Sequence, residues 1–393
     1  MRILIAPDKF KGSASAAEVA AALARGLARI WPQAEFRLLP MADGGEGTAE
    51  AIVRAANGSW VEVEVSDPLG RRRRARFGRI GPAGRTAVIE MAASTGLALL
   101  TPGERRPLET SSYGLGELIR AALSAGCEEI LLGIGGSATV DGGSGMLSAL
   151  GARLVDKNGN TLRGSGGELA KLSVVDLSAL DPRLGSVPFR IACDVANPLL
   201  GPQGAARVFA PQKGASPDEV EILEKGLEVF ADRLEAATGR RVRDLPGTGA
   251  AGGVGFALLA ISPLARLERG VDLVAEAVGL EEAIEWADLV ITGEGRLDAQ
   301  TAFGKVPYGV AHRARARGRP VVAVVGSIDR DLSLASASER LPALSILTEP
   351  ITLSEAMAAT PALLERAGER LGALLEVGSM LAGRTKGETA VPC

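Results

Sequence analysis

The chain has a single histidine, His312, among 393 residues. Catalysis by a Ser-His-Asp triad, or a metal held by several imidazoles, would have to rest on that one side chain. His312 lies among Ala and Arg in a helical stretch, Gly304 to Arg317, where a surface or helix-packing role is the simpler reading. Aromatic residues are also scarce, at 3%. The cores must therefore be aliphatic, and little surface exists for stacking nucleic-acid bases. The three cysteines, Cys127, Cys193 and Cys393, stand far apart without metal-like spacing, which argues against a disulfide framework or zinc site and fits a reducing compartment. Neither sign of charge dominates: 44 basic residues against 47 acidic ones leave a net charge of −3. No broad basic field draws in nucleic acid or anionic lipid. The most apolar stretch, Ala250 to Ala265, is broken by glycines and Pro263 and falls short of a membrane span. No charged leader with an apolar core precedes the first strand-like run. A cytoplasmic protein with no membrane and no nucleic-acid partner is expected.

Glycine is what the chain has in excess. Its 50 glycines are well above the roughly 7% of average usage. They cluster in loops without a fixed period, which argues against collagen-like or solenoid architecture. Several clusters follow apolar, strand-like runs and carry acids. Arg2 to Ala6 runs into Asp8-Lys9-Phe10-Lys11, Phe36 to Leu39 into Asp43-Gly44-Gly45-Glu46, Asp288 to Thr292 into Gly293-Glu294-Gly295-Arg296-Leu297-Asp298, and Val321 to Val325 into Gly326-Ser327. In an open α/β sheet, ligands bind beyond the carboxyl ends of the strands. Four such ends read as one polar site built from both ends of the chain. The plainer alternative is that Gly and Asp simply terminate strands because turns need them.

The length predicts two domains. A strand, an amphipathic helix (Ser15 to Ile30, with Ser13 or Ser15 as cap), a second strand and a helix (Glu46 to Ala56) begin a doubly wound parallel sheet. The rhythm then turns β-rich, with strands at Trp60 to Val65, Arg71 to Ile80 and Thr86 to Ala92. The run Arg71 to Arg74 borders a turn and reads more simply as a solvated hairpin face than as a phosphate site. From Asp288 the αβ alternation resumes, through a short helix after Val325 to a last helix from Ala362 to about Glu376. The economical division is a discontinuous α/β domain, residues 1–57 and 286–380, interrupted by an inserted α/β domain, 58–285. Residues 381–393 are expected to form a frayed tail.

Two loops have the composition of an anion cradle: Gly133 to Gly145, with Gly135, Gly136 and Ser137, and Gly247 to Gly255, with Gly249, Gly252 and Gly253. Close packing would also call for glycine at either place. Neither is a Walker loop. Gly133, Gly135 and Ala138 match G-x-G-x-x-A with Asp156 downstream, which keeps an NAD(P)-dependent oxidoreductase open. Acids beside glycine loops suit phosphoryl transfer better, since it needs carboxylates for Mg²⁺, cations for phosphate charge and a group to orient the attacking hydroxyl. The acids are Asp8, Asp43, Glu46, Asp141, Asp194, Glu294 and Asp298; the cations are Lys9, Lys11, Lys213, Arg296 and Lys305. Asp298 is equally suited to capping Ala299 to Lys305.

Six segments, IAPDKFKGSASAAEVA, PMADGGEGT, GIGGSATVDGGSGM, CDVANPLLGPQGAA, GTGAAGGVGFAL and TGEGRLDAQTAFGKVP, occur in this order over residues 1 to about 380. Together they resemble the bacterial glycerate kinase family. The resemblance implies a flavodoxin-like domain interrupted by a second α/β domain of restriction-endonuclease-like topology. It also implies ATP- and Mg²⁺-dependent phosphorylation of D-glycerate, with 2-phosphoglycerate the favoured product and the 3-phosphate left open, in glyoxylate, glycolate or sugar-acid breakdown. Many relatives carry Ser where this chain has Lys9, so Lys9 is a less secure site residue than Asp8 or Lys11. On this reading Asp194, Asp141, Asp8 and Lys11 are catalytic candidates. Asp43, Glu294 and Asp298 are metal candidates. Gly135, Gly136, Ser137, Gly249, Gly252, Gly253, Arg296 and Lys305 are candidates for holding the nucleotide. A homodimer is left open.

Overall fold

A computed structural model describes residues 1–298, 305–329 and 341–387. The chain divides into two compact units, Met1–Asp43 with Val274–Cys393, and Gly44–Leu273. The boundaries fall near, but not at, those drawn from the sequence at 57/58 and 285/286. Helix Thr48–Ala55 packs on strands Arg72–Ile80 and Thr86–Glu90 of the second unit. The expected short helix after Val325 and the segment from Ala299 to Gly304 fall outside the described residues, as do residues 388–393.

The first unit is built on a five-stranded, wholly parallel sheet. Its spatial order is Ala343–Ser345, Val321–Ile328, Leu289–Leu297, Arg2–Pro7, Glu35–Leu38. Counted along this unit, that is 2-1-3-4-5, the flavodoxin-like order, whose switch point lies between the first and third strands. Those two strands are Arg2–Pro7 and Leu289–Leu297, paired from Ile3 against Leu289 to Pro7 against Gly293. Thr292 Oγ1 donates to Ala6 O at 2.9 Å and adds a side-chain tie there. Ile3, Ile5, Ile291 and Val324 form one side of the core, and Val19, Leu23, Leu27 and Leu364 the other. Helix Ala16–Ile30 starts at Ser15, whose side chain and Glu18 cap each other's backbone. It packs against helix Thr360–Gly387, which runs well past the expected end near Glu376 into the segment anticipated as a tail.

The second unit holds a six-stranded mixed sheet in the order Ala265–Glu268, Phe189–Ala192, Glu129–Gly133, Thr86–Glu90, Arg72–Ile80, Ser59–Ser66. The first four strands are parallel and the last two antiparallel. The basic run sits on this antiparallel edge and is paired with acids. Arg71 meets Asp67 and Glu104, Arg72 meets Glu117 and Arg74 lies 3.9 Å from Glu62; beyond the run, Arg76 pairs with Glu50 while stacking over Trp60. These pairs account for the run as a solvated hairpin face. A two-stranded ribbon, Arg153–Asp156 and Leu172–Asp176, has no counterpart in the sequence reading. His312 is exposed on helix Val306–Ala316. Among the described residues no helix is long and apolar enough to cross a membrane.

Candidate active site

At the switch point of the first unit the strands end in acids around a cavity of about 500 Å³. Asp8 follows the first strand and Asp43 follows the second. Glu294, Arg296 and Asp298 lie at the end of the third, and Ser327 at the end of the fourth. Lys9, Lys11 and Lys305 also line it, and Ile346, Leu347, Leu353 and Met357 form an apolar wall. An apolar wall with a few convergent charged groups is the usual make-up of a small-ligand pocket. Seven predicted site residues therefore meet here: Asp8, Lys11, Asp43, Glu294, Arg296, Asp298 and Lys305.

Asp8 is 7% exposed, and its backbone N–H donates to Gly293 O at 2.8 Å, fixing the loop to the neighbouring strand end. The Lys9 N–H donates to Asp8 Oδ1 at 2.7 Å. Burial, reinforced by the like charge of Asp43, pushes the Asp8 carboxyl up to about 7; Lys9 and Lys305 act against that rise. Lys305 lies 3.6 Å from Asp298, and Arg296 lies 2.5 Å from Asp329. Both cations are thus held at the pocket by acidic partners.

The remaining predicted residues belong to the second unit. Asp141 is fully buried, and its carboxylate accepts from Ser112 N (2.7 Å), Ser112 Oγ (2.7 Å), Gly143 N (3.1 Å) and Gly145 N (3.3 Å). Burial raises its pKa while these donors oppose the rise. It acts here as the internal tie of the Gly133–Gly145 loop. Gly249, Gly252 and Gly253 are enclosed by backbone: an added Cβ would come within 2.1 Å of Pro198 O, 2.1 Å of Thr139 O and 2.7 Å of Gly142 Cα respectively. The two glycine loops thus pack on each other, joined by the Gly142 N–H donating to Gly252 O at 2.7 Å. By contrast, Gly136 is exposed at the tip of the first loop, between Gly135 and Ser137. Asp194, after strand Phe189–Ala192, is exposed and accepts from Gly270 N at 2.8 Å. Lys213, only one of five candidate cations in the sequence, has a privileged place: its buried ammonium donates to Ser137 Oγ at 2.8 Å and Thr139 O at 2.7 Å.

Magnesium retains several waters and is bound through one or two carboxylates together with substrate phosphates. The cavity fits that pattern, because Asp8 and Asp43 face each other closely enough for repulsion to be felt and Glu294 and Asp298 line the same space. Among the described residues no three His, Cys, Asp or Glu side chains converge as an all-protein metal cage.

Comparison with known proteins follows the same line. The model of the glycerate kinase family matches residues 3–376. The chain is 48% identical to the glycerate kinase of Bacillus subtilis (strain 168), over 97% of this chain and 99% of that one. It is 46% identical to the glycerate 2-kinase of Escherichia coli (strain K12), over 98% and 100%. A crystal structure assigned as glycerate kinase 2 of Salmonella typhimurium LT2 superposes with a TM-score of 0.86 at 46% identity, covering 97% of this chain and 99% of that one.

Proposed function

Because this chain belongs to the glycerate kinase family, we propose that it transfers the γ-phosphoryl group of ATP to the C2 hydroxyl of D-glycerate, giving 2-phosphoglycerate and ADP. The observation that carries the reading is the switch-point cavity, where Asp8 is buried beside Asp43 among Lys9, Lys11, Arg296 and Lys305.

Phosphoryl transfer asks the protein mainly for positioning and charge. The apolar wall of Ile346, Leu347, Leu353 and Met357 suits a nucleobase, and Lys11, Arg296 and Lys305 suit phosphate oxygens. A carboxyl with a pKa of about 7 is half ionised at neutral pH, so Asp8 is matched to accept the proton of the attacking hydroxyl. The hydroxyl oxygen bonds to the γ-phosphorus as the bond to the β-phosphate oxygen breaks, and ADP leaves with that electron pair. One or two of Asp43, Glu294 and Asp298 would hold Mg²⁺ directly and the rest through its waters, and its charge would offset that of the phosphates. Asp194, an exposed carboxylate of the second unit, is a candidate for orienting substrate. The separate cysteines and the absence of a membrane-spanning helix among the described residues support placing the enzyme in the cytoplasm.

The test is ADP release from Mg-ATP that depends on D-glycerate, with the product identified by ³¹P NMR. A phosphorus doublet identifies the 2-phosphate, coupled to one proton, and a triplet the 3-phosphate. Glycerate-independent hydrolysis, or no turnover by folded protein, would sink the reading.

A further inference from the structure

The switch-point cavity is lined entirely by residues of the first unit. Its apolar wall comes from two pieces: Ile346 and Leu347, just past strand Ala343–Ser345, and helix Leu353–Ala358. That helix is only six residues long, and no residue in it is buried. A helix this short draws its stability from packing rather than from propensity. Thr352 and Glu355 cap its first turn reciprocally, and Thr360 Oγ1 donates to Ala356 O at 2.9 Å near its end. Leu353, Ala356 and Met357 line the cavity at the i, i+3, i+4 spacing of one helix face. Leu353 is 77% exposed there. A ligand seated in the cavity would supply the packing that this face lacks.

The polar groups beside the wall are spent within the protein. Ser345 Oγ donates to Gly326 O at 3.1 Å and accepts from the Leu347 N–H at 3.1 Å. The Ile346 N–H donates to Val325 O at 2.9 Å, and Arg370 Nη2 donates to the carbonyls of Ser345 and Ile346, each at 3.2 Å. Ser13 Oγ donates to Phe10 O at 3.1 Å. A hydroxyl has one proton to give. Ser13, Ser345 and Thr360 therefore have none left for a base. Among the described residues, the wall offers a base aliphatic contact, whereas Lys11, Arg296 and Lys305 offer charge to phosphates, which every nucleoside triphosphate carries. A site that hydrogen-bonds its substrate rejects a wrong group by about 10⁴- to 10⁵-fold, while an apolar pocket separates related shapes by only about 10- to 200-fold. We propose that the cavity accepts nucleoside triphosphates as a class rather than ATP alone, with Leu353 and its helix holding the base by apolar contact. The proposal rests on the kinase reading above and deepens it in the phosphoryl donor.

The experiment measures kcat/KM for ATP, GTP, CTP and UTP, each with Mg²⁺ and saturating D-glycerate, in the wild type and in Leu353→Ala. The four wild-type values should fall within about 100-fold of one another. Leu353→Ala should lower all four by a common factor of roughly 10. Because Leu353 is exposed in the protein without ligand, its truncation removes contact with the base rather than with the core. Inorganic tripolyphosphate, which has phosphates and no base, should inhibit both proteins equally. A spread wider than about 100-fold, a loss confined to one base, wild-type constants in Leu353→Ala, or a parallel loss of tripolyphosphate inhibition would each overturn the proposal. If no donor gives glycerate-dependent release of its diphosphate, the kinase reading fails by itself. Calorimetric titration of both proteins with the same four triphosphates then decides. Affinities within about 100-fold of one another that fall together in Leu353→Ala support the proposal. A single preferred base, unchanged affinities in the variant, or no binding overturns it.

Discussion

Asp43 stands close enough to Asp8 to add like-charge repulsion to the cost of burying the Asp8 carboxylate, and together they bring its pKa to about 7. A carboxyl whose ordinary value is 3.8 thus keeps its proton in the folded state over a pH range where the unfolded chain has released it. Linkage then sets the sign: stability without ligands falls as pH rises from about 4 to about 7, and levels off above that. Asp8→Asn removes the titration. Its urea midpoint should exceed that of the wild type at pH 8, and the two should draw together toward pH 5. Activity should move the opposite way, with kcat reduced about 10³-fold. A variant that is no more stable at pH 8, or that keeps its kcat, would remove Asp8 from this role.

Asp141 divides differently. Its carboxylate collects four donors inside the second unit, from Ser112, Gly143 and Gly145. Asp141→Ala leaves all of them buried and unpaired and should cost about 3 kcal/mol or more. Asp141→Asn keeps one acceptor oxygen and turns an amide toward one of the donors, so it should cost about 1–2 kcal/mol. If the residue is a tie rather than a reacting group, folded Asp141→Asn keeps kcat within about 10-fold. A 10³-fold loss in a protein that melts normally would return it to catalysis.

These two aspartates show what could be read from residues alone. Asp8, Asp43 and Glu294 were legible because each follows an apolar run that ends in glycine or a turn, and such ends converge in a parallel sheet. Asp141 stands in an equally suggestive setting, but burial is a property of the packed loop and leaves no local mark. Gly252 and Gly253 illustrate the same ambiguity. Backbone approaching backbone selects glycine just as backbone approaching phosphate does, and here the approaching atoms are those of Thr139 and Gly142. Lys213 looks like any surface lysine in Pro211-Gln212-Lys213. Its value comes from the long-range contact with Ser137, which only the fold supplies. The strand order 2-1-3-4-5 likewise depends on pairings across more than 280 residues, such as Ile3 with Leu289.

The crossing of helices Ala16–Ile30 and Thr360–Gly387 rests on two glycines. A Cβ at Gly26 would lie 1.9 Å from Glu365 O, and one at Gly368 would lie 2.6 Å from Leu23 O. Gly26→Ala must push the helices apart and should cost about 1–3 kcal/mol. Gly378, further along the same helix, has nothing within 4 Å of such a Cβ. Gly378→Ala should be neutral or stabilising by up to about 1 kcal/mol, through helix propensity alone. Urea midpoints of the two variants test the contrast. Equal effects would mean that the close crossing is not what selects glycine at 26.

Asp194 offers the cleanest separation of fold from chemistry. One carboxylate oxygen accepts from the Gly270 N–H at 2.8 Å, where helix Gly270–Ala277 begins, and the residue is exposed after strand Phe189–Ala192. Asparagine retains an oxygen for that bond. Asp194→Asn should therefore melt within about 0.5 kcal/mol of the wild type. Alanine gives up the acceptor at a helix start and should cost about 1 kcal/mol. If the negative charge orients substrate or answers charge in the transition state, both variants lose kcat by about 10²- to 10³-fold despite their different stabilities. Steady-state kinetics beside urea unfolding reads both quantities. Near-normal kcat in Asp194→Asn would leave this residue a structural task such as holding Gly270, and would return the search for an orienting carboxylate to Asp43 and Glu294 in the switch-point cavity.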